Sequence, residues 1–125
     1  MPASQAGYGL QLWNSRERIN ALGSISGART LSLASGNVVT CTLVGAVSFT
    51  FPSTTLLTSQ AAFLTIHTTQ DGTGGRVITW PASVVWGSGS APTVTTTAGA
   101  KSLFTFFTID QGATWLGVMS GTAFA

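Results

Sequence analysis

One histidine, one cysteine and three carboxylates are all that this 125-residue chain offers to reactive chemistry: His67, Cys41, Glu17, Asp71 and Asp110. Nucleophilic catalysis needs a nucleophile beside a base that a third group orients, and a zinc site needs three or four ligands at short spacings. These five residues are scattered and show no such spacing. Glycoside hydrolysis by paired carboxylates needs two acids in one cleft; Asp71 and Asp110 each sit in a turn-forming stretch, and nothing in the sequence brings them together. Cys41 falls in phase with Val39 and Leu43 and reads as a small buried hydrophobe. His67 reads as a strand residue facing a partner or solvent. The expectation is no catalytic residue, no metal, no cofactor and no enzyme.

Gln70-Asp71-Gly72-Thr73-Gly74-Gly75-Arg76 invites a different chemistry, the cradling of a phosphate. Such a loop works by opening a helix whose first amides face the anion. Here the β-forming run Arg76–Trp80 follows, so the stretch reads as a hairpin turn, with Asp71 and Arg76 free to pair across it. An exposed pair of this kind stabilises by only about 0–1 kcal/mol.

The elements that hold these residues are legible from Thr30 onward, where the hydrophobic period is two. Leu31 and Leu33 alternate with small polar residues, as do Val39, Cys41 and Leu43, then Val47, Phe49 and Phe51 up to Pro52. FLTIHTT puts Leu64 and Ile66 on one face and Phe63, Thr65 and His67 on the other. RVITWP, VVW, TVTTT, KSLFTFFTI and TWLGVM follow, separated by turn signals such as GSGSAP and DQGA. Roughly eight or nine short strands at this spacing predict an all-β fold, an antiparallel β-sandwich or jelly roll. Residues 1–28 differ: their apolar residues follow neither period, a helix near Ser15–Leu22 has weak support, and they read as an extended N-terminal arm on a β-domain of residues 29–125. Leu10, Leu12, Trp13, Arg16 and Arg18 have no evident local core and are the arm's candidate contacts with a partner. A chain lacking residues 1–27 should then keep its β-domain and lose attachment.

Charged residues make up 6% of the chain, against about 25% in an ordinary soluble domain. No charge falls between Arg29 and Asp71, or between Arg76 and Lys101. A monomer is normally kept soluble by mixed surface charge, so much of this surface should be a Thr/Ser/Gly skin or be covered by partners. The net charge of +2, with no basic cluster beyond Arg16 and Arg18, argues against nucleic acid. Polar residues interrupt every apolar run before it reaches the 20 or so residues of a membrane helix, the strands look too short for a membrane barrel, and MPASQAGYG is no signal peptide. Synthesis in the cytosol without export is expected. Trp80, Trp86 and Trp115 remain ambiguous, as a glycan-stacking platform or as core and interface anchors.

The segment LSLASGNVVTCTLVGAVSFTFP, with Gln70-Asp71-Gly72, Gly74-Gly75-Arg76, Thr79-Trp80-Pro81, Trp86 and Ala91-Pro92 after it, resembles a β-domain that recurs in tailed-bacteriophage virion proteins. That domain occurs at the ends of tail fibres and in small stand-alone particle proteins. The likeness covers about residues 29–121. It implies a structural or adhesive role at the virion surface without catalysis, and a homotrimer, as in many relatives. With its own Met and a single module, the chain reads as a separate particle protein: a capsid decoration or cement protein, or a short head or tail fibre, bound to a major capsid or tail protein. The alternative is a receptor-binding adhesin module that stacks a host surface glycan.

Overall fold

Alternating Val, Thr and Phe make strands of this chain, and glycines decide where those strands bend. The computed structural model describes residues 17–51 and 59–125. Its elements are β1 (Ile19–Thr30), a single 3-10 turn (Leu33–Ser35), β2 (Val38–Thr50), β3 (Ala62–Gln70), β4 (Ile78–Thr79), β5 (Val84–Trp86), β6 (Lys101–Thr108) and β7 (Trp115–Phe124). They form one sheet in the order β1-β2-β3-β6-β7-β5, with β4 also beside β2.

The all-β class is realised, but the antiparallel expectation is not. β1 runs parallel to β2, β2 parallel to both β3 and β4, and β5 parallel to β7; only β3/β6 and β6/β7 are antiparallel. The strands also lie in one mixed sheet, where a sandwich or jelly roll has two. A period of two reports which face a side chain takes and is blind to strand direction, so the sequence pattern could not separate the two arrangements.

Parallel pairing of β1 with β2 imposes a geometric condition. Ile19 pairs with Val38 and Thr30 with Thr50, so residues 31–37 must carry the chain back along the whole of β1. A straight strand of that length would span about 36 Å, whereas the return can reach about 29 Å even fully extended and contains a tight 3-10 turn. β1 therefore has to bend. It does so at Gly23 and Gly27, both in the left-handed region at φ 72° and 75°, where the register against β2 shifts. At the first shift β1 carries the extra residue, Leu22; at the second, β2 carries three residues between Leu43 and Val47 against Ser26 alone. The return passes so close beneath the start of β1 that a Cβ on Gly36 would lie 2.6 Å from the Arg18 carbonyl oxygen.

β2 bends at the same place, and the next pass of the chain follows it. The first half of β2 pairs with β3 and the second half with β4. Gln70–Arg76 is therefore a corner within one continuing pass and not the reversal of a hairpin; positive-φ glycines suit both. The run expected as a strand over Arg76–Trp80 keeps only Ile78 and Thr79 in the sheet, and TVTTT forms no strand.

Bending curls the sheet around its own core. Phe51, just after β2, packs edge-on to Phe106 of β6 at 4.8 Å between ring centroids, although β3 separates the two strands in the sheet. Val39, Leu43, Val47, Leu64, Ile66, Phe104, Phe106 and Trp115 are buried inside the curl.

Residues 19–28, expected in the arm, form most of β1, and Ile25 among them is 1% exposed. Alternation is absent there because an edge strand with two bulges buries few side chains. Leu10, Leu12, Trp13 and Arg16 lie outside the described residues. Deleting residues 1–27 should accordingly destabilise the domain, since loss of the Ile25 side chain alone costs about 2–5 kcal/mol. Melting followed by circular dichroism should show a lower midpoint or no cooperative transition; a midpoint equal to that of the full chain would show β1 to be dispensable.

Candidate interaction surface

Trp80, Trp86 and Trp115 are brought together, on the inside. Trp80 lies just past β4, with ring centroids 5.7 Å from Phe49, 4.7 Å from Phe104 and 5.4 Å from Trp86. Trp86 also meets Phe106 at 5.5 Å. Trp115 is fully buried and touches Phe51 edge-on at 5.7 Å. Edge-on and tilted pairs of this kind add about 0.5–1.5 kcal/mol each beyond the area they bury. The indole Nε1 atoms of Trp80 and Trp115 are buried with no hydrogen-bond partner among the described residues. Trp115 has no face left for a sugar. Trp86, half-buried, borders an open hollow of about 310 Å³ with Pro92, Val118 and Met119.

The Gln70–Arg76 corner is held by side chains that look polar and expendable in the sequence. Gln70 ends β3 and is 2% exposed. Its Nε2 donates to the carbonyls of Arg76 and Thr95, both at 2.8 Å, and its Oε1 accepts from the Arg76 amide at 3.0 Å. One amide thus fastens the corner and the 93–97 segment to the end of β3. Asp71 Oδ1 accepts from the amides of Thr73 and Gly74, and its Oδ2 from Arg76 Nη2 at 2.9 Å. A Cβ on Gly74 would fall 2.5 Å from the Thr96 carbonyl oxygen, so only glycine fits.

Neither aspartate is idle. The hydrogen bond from Arg76, then that from the Gly74 amide, holds Asp71 below the usual carboxylate range. Asp110 is held down by the Thr114 amide first and the Thr108 hydroxyl second. Cys41 is buried, and desolvation pushes its thiol up to about 11, which leaves almost no thiolate at neutral pH. His67 lies on the outer face, opposite Thr40 and Leu103. Among the described residues no three His, Cys, Asp or Glu side chains are grouped as a metal site would require.

The outer face of the sheet carries what the inner chemistry lacks, a contiguous apolar surface with no partner among the described residues. Phe63 of β3 pairs with Phe107 of β6, Phe107 with Leu116 of β7, and Leu116 with Val85 of β5. These four residues form one apolar row across four neighbouring strands. Phe63 and Phe107 form a tilted ring pair with centroids 4.7 Å apart, and Phe63, Val85 and Leu116 are each more than half exposed. Val118 and Ile109 extend the patch. Beside the row lies a hollow of about 220 Å³ lined by Phe107, Ile109, Asp110, Thr114 and Leu116. In the next row Thr105 bonds to Ser120 at 2.8 Å.

Of the residues expected to meet a partner through the arm, Arg18 alone is described; it is exposed just before β1, and its carbonyl accepts from the Val38 amide. Sequence alternation alone does not single out the outer row. Alternation does place Phe63 opposite Leu64, but which face is inward depends on what the curled sheet encloses.

A model of the family described as "Putative phage tail fibre C-terminal domain" matches residues 28–114, well over half of the chain. The chain belongs to this tail-fibre domain family. The match runs from the end of β1 through β6, and so includes the Gln70 corner, Trp80 and Trp86. No curated protein and no solved structure matches the chain. Membership makes the protein a tail-fibre structural module, a component of the virion.

Two outcomes are expected from these contacts. Trp80→Ala should lower stability by about 3–5 kcal/mol, as loss of a packed aromatic does, which thermal melting will detect; unchanged melting with lost adsorption to host cells would instead give Trp80 a sugar-binding role. Because Asp71 and Asp110 are depressed in the folded state, the unfolded chain binds more protons in acid. Their stabilisation is complete above the unfolded carboxylate value of about 3.9 and drains away as pH falls below it through the lowered folded values. Denaturation midpoints measured from pH 6 to 2 should fall below about pH 4, and Asp71→Asn with Asp110→Asn should flatten that fall.

Proposed function

We propose that the protein is a non-catalytic structural module at the end of a tail fibre, exposed on the virion surface and assembled as a trimer of identical chains that docks on another virion protein. The family match carries this reading. A fibre position is preferred to capsid decoration because the matched family is a fibre domain. Composition supports self-assembly: a surface with 6% charged residues in the chain and an apolar row across four strands is an aggregation liability unless covered. Three of the five reactive groups are engaged in structure, Cys41 by burial and the two aspartates in turns. Contact with a host glycan is the second reading, and the hollow beside Trp86 favours it.

Position and copy number test the proposal together. Antibody-gold labelling of purified particles should mark fibre ends, and quantitative mass spectrometry should count a few trimers per particle. Labelling spread over the head at hundreds of copies would overturn the fibre assignment in favour of decoration.

A further inference from the structure

We infer that the outer face of β3, β6, β7 and β5 is the seam between copies of this chain, with Phe63 of one copy seated in the hollow between Phe107, Ile109 and Leu116 of its neighbour. The inference rests on the proposed self-assembly and names the surface that performs it.

Size, shape and charge all fit a second copy. Phe63, Val85, Ile109, Leu116 and Val118 are 50–70% exposed and together present on the order of 500 Å² of apolar surface. A standard interface buries about 800 Å² per partner, some 60% of it apolar, so the patch supplies the apolar share of one such contact. The hollow of about 220 Å³ is large enough for a phenyl ring, since an apolar cavity of about 150 Å³ already takes benzene. Phe63 stands beside it as a ridge backed by Phe107, so every copy has both the projecting ring and the site that receives one.

Charge narrows the occupant further. The row itself is uncharged, and Asp110 at the rim has Oδ1 engaged by the Thr108 hydroxyl and the Thr114 amide. The adjacent hydroxyls of Thr105 and Ser120 share one hydrogen bond, so covering them leaves a single hydroxyl proton to be paired. A sugar would demand hydrogen-bonding side chains that Phe63, Phe107, Leu116 and Val85 lack, and an anionic partner would demand cations. A like surface demands neither.

Sedimentation of the full chain at micromolar concentration provides the test, with Phe63→Asp and Leu116→Asp on the face and Ser24→Asp on β1 as the control. The wild type and the control should sediment as an oligomer, and both face variants as monomers of 12.8 kDa with unchanged β dichroism. A double variant, Phe63→Cys with Leu116→Cys, should form disulfide-linked dimers and trimers when copper phenanthroline oxidises the paired thiols, which decides the matter if the aspartate variants fail to fold. An oligomer that survives both face substitutions, or that gives no cross-link, overturns the seam and leaves self-assembly standing. A monomeric wild type overturns both.

Discussion

Parallel strands usually need a crossover of a dozen or more residues, commonly a helix. Here β1 and β2 are parallel across only residues 31–37, and much of the fold follows from making that connection fit. The strand cannot be straight, so it turns at Gly23 and Gly27; β2, hydrogen-bonded along its length, turns with it between Leu43 and Val47. β3 and β4 then pair with the two halves of a bent strand. Curvature that begins as a problem of chain length ends by bringing Phe51 against Phe106 across an intervening strand. Among the described residues the core is therefore enclosed by one sheet.

A bent pass of chain needs its corner fixed, and Gln70 does this. A corner has fewer ladder hydrogen bonds than a strand, and buried backbone groups left unpaired there cost about 1–3 kcal/mol each. Three hydrogen bonds from one buried amide, together with the Asp71 carboxylate on two backbone amides, replace them. The Gln70 bond to the Thr95 carbonyl, with the Gly75 amide donating to the Thr96 carbonyl, ties in the 93–97 segment, which forms no strand of its own and carries the buried Val94. Trp80 follows directly from this corner, so the packing of the aromatic cluster depends on the polar fastening beside it.

Curling also sorts the two faces of the sheet. Aromatic rings that could have met sugar are drawn inward, while Phe63, Phe107, Leu116 and Val85, equally apolar, are turned outward on a surface with very little charge. Burial of the first set accounts for the stability of the chain. Exposure of the second set is the observation on which the proposed seam between copies rests.

The sequence by itself determined the strand-rich class, the positions of β3 and β6, where β2 and β7 begin, the inward phase of Cys41 with Val39 and Leu43, and the scarcity of reactive groups. Each is a local property: alternation, β-branching and composition are carried by neighbouring residues. Tertiary structure decided strand direction, the membership of residues 19–28 in β1, the conversion of a presumed hairpin at Gln70–Arg76 into a corner, and which apolar residues face out. Those outcomes depend on how far the return over residues 31–37 can reach and on what the resulting curl encloses, and both are set by distances between residues far apart in the chain.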